Sequence, residues 1–165
     1  MFSVDGYLNS IKANLEKQTD VLVGNLKTIF TYNFSSEIDL IDFSAFIEPT
    51  RFELSIRLFS MDKEANEVFH EGDDLTVFAG SEVLTEVEYF QLNESQLDDF
   101  FEFYEQNEEV LNTQEQKVFT DWFNQCWEKA GGDGLKIPAY FVFHDDVKSY
   151  DLNNKQWIDD DDKWT

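Results

Sequence analysis

One cysteine, two prolines, two histidines and only 12 Lys and Arg are spread over 165 residues, and each shortage closes off a class of answer. With Cys126 alone no intrachain disulfide can form, and zinc sites built from several cysteines are excluded. No apolar run approaches the roughly 20 residues that a membrane-spanning helix needs. Residues 1–10 lack a basic segment followed by an apolar one, so no signal peptide is expected and the cytoplasm is the expected location. So few cations leave little with which to neutralise phosphates. Direct nucleic-acid binding is therefore not expected, nor is docking on an anionic membrane surface.

What is present is acid and aromatic carbon. Asp and Glu number 35, giving a net charge of −23, while 42% of residues are hydrophobic and 17 are Phe. Disordered chains pair high charge with few aromatics, so this combination points to a folded core instead. The length suits one domain, expected over residues 1–158, and the absence of repeats or Pro- and Gly-rich linkers supports this. Residues 159–165 follow as an acidic tail, expected to be mobile; Asp159, Asp160, Asp161, Asp162 and Lys163 also form a protease-recognition-like run.

Val4, Tyr7, Leu8, Ile11, Leu15, Leu22 and Leu26 recur at helical spacing and predict one amphipathic helix over about residues 4–27. Strands are predicted next. Phe30, Tyr32 and Phe34 alternate with polar residues; Phe52, Leu54, Ile56 and Leu58 do so most cleanly; residues 75–79 and 83–90 are further candidates. A helix over about 94–111 carries Leu97, Phe100, Phe101, Tyr104 and Leu111 on one face. Thr113 and Gln116 match a capping box opening a second helix, whose apolar arc runs from Val118 through Trp122 to Trp127 and Ala130. Gly131 and Gly132 should end it. Residues 139–143 predict a last apolar strand, and Asn153–Asn154 the turn of a closing hairpin. The order implies an α+β fold: a mainly antiparallel sheet, with an N-terminal helix and two helices of the C-terminal half packed on one side.

Charge placement is the strongest functional signal. Residues 64–116 contain no Lys or Arg and sixteen Asp or Glu. On a helical projection Glu94, Asp98, Glu102, Glu105 and Glu109 fall within about 80° of one another. Like charges at this spacing cost a few tenths of a kcal/mol per pair, so stability alone does not ask for the stripe. Two readings fit: a solvated face, or a docking surface for a basic partner, with Phe103 and Val110 as apolar anchors at its edge.

His144, Asp145 and Asp146 are the one place where a histidine meets a carboxylate pair, but no nucleophile-elbow pattern surrounds the nearby Ser149 and Tyr150. Cys126 shares a helical face with Trp122 and Phe123 and reads as core. The glycines at 131–134 end a helix instead of opening one, so they offer no phosphate cradle. Neither Asp73–Asp74 nor the run at 159–162 has the spaced ligands of an EF-hand loop. No metal or cofactor is expected.

In size, acidity, the acidic helix at Glu94 to Glu109, the Trp122–Phe123 to Trp127 helix and the closing segment from Tyr140 to Trp157, the chain resembles bacterial polymorphic-toxin immunity proteins. That resemblance implies a small cytoplasmic α+β protein that is not an enzyme and blocks a toxin by binding it. The expected function is inhibition or sequestration of a basic protein, such as a toxin nuclease domain. The alternatives are a nucleic-acid mimic acting on a DNA-binding protein, or a hydrolase using His144 and Asp145.

Overall fold

Ser3 opens the first helix: its backbone is extended, and its hydroxyl accepts the Gly6 N–H at 3.0 Å. The structure is a computed structural model describing residues 1–68, 77–78, 80–144 and 146–164. Helix α1 runs Val4–Glu16 and α2 runs Thr19–Phe30, so the single helix expected over 4–27 is broken at Lys17–Gln18. The break lets both apolar stripes, Tyr7, Leu8, Ile11 and Leu15 on one and Leu22, Leu26 and Ile29 on the other, reach the same core. It also places the Thr19 hydroxyl where the Trp122 indole N–H donates to it at 3.0 Å.

The strands are β1 Asn33–Phe34, β2 Leu40–Glu48, β3 Glu53–Met61, β4 Val77–Phe78 and β5 Gly80–Glu88. After α3 (Leu97–Gln106) and α4 (Glu108–Lys129) come β6 Ala139–Phe143, β7 Lys148–Asp151 and β8 Gln156–Asp159. Among the described residues, β1 and β4 form a small parallel pair, and the other six form one sheet in the order β5-β3-β2-β6-β7-β8. Every neighbour in that sheet is antiparallel except β2 and β6, which run parallel with Phe43 opposite Phe141. The fold is thus α+β with a mostly antiparallel sheet.

Ile41, Phe43 and Ala45 of β2, Leu54, Ile56 and Leu58 of β3, and Phe141 of β6 point into the core shared with the helices. There Phe123 stacks on Phe141 with centroids 4.5 Å apart, and Trp127 meets Phe43 edge-on at 5.5 Å. Gly131 takes the left-handed cap at φ 88°, and a Cβ on Gly132 would sit 2.3 Å from the Trp127 ring.

Four sequence expectations need correction. Strand β2, at the centre of the sheet, is not among the predicted strands. Of residues 30–34 only Asn33–Phe34 are extended; Phe30 ends α2, and Thr31 and Tyr32 turn the chain. The break between the two later helices falls at Asn107, so Thr113 lies inside α4, its hydroxyl donating to the Glu109 carbonyl at 3.2 Å; the capping box is Asn93 with Gln96, opening the 3-10 turn Glu94–Gln96 before α3. Asp159 ends β8, and Asp160–Trp164 form a 3-10 turn instead of a loose tail. That turn crosses the sheet face away from the helices. Lys163, its side chain 1% exposed, donates to Asp42 of β2 at 2.8 Å and pairs with Asp160 at 2.6 Å, and Ser149 donates to Asp160 at 2.7 Å. His70, Asp73, Asp74, Asp145 and part of the expected strand at 75–79 lie outside the described residues.

Candidate functional site

Helix α3 is amphipathic, with Phe100 its buried residue, packed among Tyr7, Phe52, Phe90 and Phe103. Opposite Phe100, Asp98, Glu102 and Glu105 share one exposed face at spacings of four and three residues. Glu94 is exposed in the preceding 3-10 turn, and Glu109 is exposed in the first turn of α4, beyond the Asn107 break. None of the five has an ion-pair partner among the described residues. Phe103 is not a free anchor: it is half-buried, its ring 5.9 Å from Phe2 and 6.0 Å from Phe100. The exposed apolar residues here are Phe101, 42% exposed, and Val110, 53% exposed.

Phe101 also borders a pocket of about 370 Å³ between α3, α4 and the end of the sheet. Its lining is mostly aromatic: Tyr7, Phe46, Phe52, Tyr89, Phe100, Tyr104, Phe119 and Phe143 contribute. Residues at the mouth are the exposed ones, Pro49, Phe101, Asn112 and His144, whereas Tyr7, Tyr89, Phe119 and Glu115 are buried. Phe52, which begins the return from β2 into β3, has φ 54°, a strained value for a bulky residue. Its buried ring lies against Phe90 at 5.4 Å and Phe100 at 5.3 Å, edge-on to both, so the aromatic cluster holds the strained turn in place.

Among the described residues, Glu115 is the one carboxylic acid lining the pocket. It is 8% exposed, and its Oε1 has no hydrogen-bond partner among the described residues. Burial pushes its pKa up to about 7, while the Tyr104 and Tyr7 hydroxyls offset part of the rise. Tyr104 already donates its proton to Asn112 Oδ1 at 2.9 Å, which leaves it little to give the carboxyl. Burial, and then the charge of Glu115, hold the Tyr7 and Tyr104 hydroxyls far above the ordinary tyrosine range; Tyr89 is raised likewise. A deeply placed acid that titrates near neutrality, inside an aromatic pocket, marks a binding-site candidate.

The sequence reading missed Glu115, although a signal was there. It sits four residues after Leu111 and four before Phe119, on the buried face of α4, where a carboxylate is out of place.

His144 follows β6 at the pocket mouth, its ring 4.5 Å from Phe46. Asp146 accepts the Gln116 amide at 2.9 Å and the Val147 N–H at 2.6 Å, and so serves to pin the loop. Among the described residues no group of three His, Cys, Asp or Glu is placed to hold a metal ion, and no helix is long and apolar enough to cross a membrane. Burial pushes the Cys126 thiol up to about 11, which keeps it protonated and unreactive at neutral pH. No family model, curated protein or solved structure matches the chain.

Proposed function

We propose that this protein is an acidic binding protein that occludes a basic protein partner, in the manner of an immunity protein neutralising a toxin. The observation that carries the reading is the outer face of α3. Asp98, Glu102 and Glu105 are exposed together and unpaired, in a chain of net charge −23. Phe101, on the side of the same helix, adds an exposed ring over which a partner's apolar atoms can pack. Opposite fields raise association rates by orders of magnitude, and a focused patch does so with direction.

The extent of the face favours an inhibitor patch over a nucleic-acid mimic. Helix α3 has ten residues and is about 15 Å long, whereas duplex DNA repeats its charge about every 1.7 Å along an axis of any length. A mimic would need its carboxylates spread over a much longer surface.

Partner capture on the immobilised protein, eluted along a salt gradient, followed by stopped-flow association of the captured protein, tests the proposal. Reversing Asp98, Glu102 and Glu105 to Lys should slow association at least tenfold. Raising the salt to physiological strength, where the Debye length is about 8 Å, should slow the wild type in the same direction. Equal rates for wild type and triple variant would reduce the stripe to a solvated face and sink the proposal.

A further inference from the structure

We propose that the aromatic pocket over Glu115 is a binding site for an organic cation: an ammonium group carried on a short apolar or aromatic stem. Three observations select that chemistry. The first is the wall, where the rings of Tyr7, Tyr89, Tyr104 and Phe119 line the inner end; aromatic faces attract a cation and also welcome its hydrocarbon stem. The second is Glu115, buried there with Oε1 unpartnered. A cation entering the pocket would compensate the buried carboxylate that lines it. The third is size: about 370 Å³ falls at the small end of the range for small-molecule sites.

The same features reject other ligands. An anion would set its charge against Glu115 in a molecule already at −23. A neutral apolar molecule would fill the space but leave the charge of the ionised Glu115 uncompensated. The pocket shares Phe101 at its mouth with the face proposed for a protein partner, but Glu115 itself lies on α4 while the acidic stripe faces outward, so small probes test it without the partner.

Occupancy should be linked to the protonation of Glu115. The ionisable groups facing it are Tyr7 of α1 and Tyr104 of α3. Glu108 of α4 and Glu48 of β2 act on Tyr104 and on the neighbouring Tyr89, and His144 stands at the mouth. With the carboxyl held at about 7 in the empty site, a bound ammonium would favour its ionised form and expel its proton.

Titration with benzylammonium and with its neutral counterpart benzyl alcohol, at pH 8, tests the inference. Wild type should bind the cation at least tenfold more tightly. Glu115→Gln, nearly the same shape without the charge, should abolish that preference, so that the two probes bind with affinities within about twofold of each other. Carboxyl 13C NMR of the wild type supplies a measurement independent of any variant: benzylammonium should lower the Glu115 titration midpoint by a unit or more, and benzyl alcohol should not. Equal affinity for the two probes, no binding of the cation, a preference that survives Glu115→Gln, or an unmoved midpoint would each overturn the assignment.

Discussion

Asp42 and Glu115 are equally buried, each 8% exposed, on opposite sides of the sheet, and their surroundings differ in kind. Asp42 faces Lys163, which bonds it at 2.8 Å and also holds Asp160, itself bonded by Ser149. Burial still raises the Asp42 pKa against the pull of Lys163, whereas Asp160 is lowered: its burial is milder and the bonds from Lys163 and Ser149 outweigh it. Glu115 faces tyrosines and a pocket, with no Lys or Arg among the described residues that line it. One carboxylate is part of how the chain closes on itself; the other is left incomplete by the fold. Burial of charge is tolerable when paired and costly when not, so the contrast separates a structural site from one that awaits a ligand.

The largest expected effect breaks the satisfied side. Lys163→Met leaves Asp42 buried without its cation and should cost about 3–5 kcal/mol in urea unfolding at pH 7. A loss below about 1 kcal/mol would mean that the 3-10 turn is not part of the folded unit. On the other side the sign reverses. The folded pKa of Glu115, about 7, lies above its ordinary 4.5, so the native state keeps the proton longer and wild-type stability falls as pH rises from about 4.5 to about 7. Glu115→Gln removes that slope. Relative to wild type it should gain about 3 kcal/mol between pH 4.5 and pH 8, and parallel stability curves would show that Glu115 is not held as described. Ser149→Ala takes one bond from Asp160 but leaves Lys163 in place; about 1 kcal/mol should be lost. Smallest is the reversal of Asp98, Glu102 and Glu105, which face water: a stability change within about 0.5 kcal/mol is expected, even as partner association slows.

The parts of the fold legible in the sequence are those with one wet side. Leu54, Ile56 and Leu58 alternate because β3 buries one face, and Asn153–Asn154 mark their hairpin, where Asp151 accepts both backbone N–H groups. Strand β2 hid although Ile41, Phe43 and Ala45 alternate with Asp42 and Ser44: it is covered on both faces, with Leu40 through Ala45 all buried, so its polar side is not a wet side. Its polar members, Asp42 and Ser44, look like loop residues until Lys163 arrives from 121 positions away. The stripe on α3 was visible as a pattern of spacing. Glu115 was not, since in a stretch of sixteen acids only its place between Leu111 and Phe119 sets it apart.

The parallel seam between β2 and β6 has a consequence for how the chain folds in time. Ile41 and Ala139 are register partners 98 positions apart, and the β2–β3 hairpin can zip long before that seam closes. Until residues 139–143 are available, the central strand keeps an open edge bearing Phe43 and Ala45. Joining distant segments is an entropic search that slows folding relative to local pairing, and an exposed strand edge is a template for the wrong partner. A chain that carries a net charge of −23 repels its own copies during that interval. Like-charge repulsion therefore works against aggregation of the half-assembled sheet until its other three strands are in place.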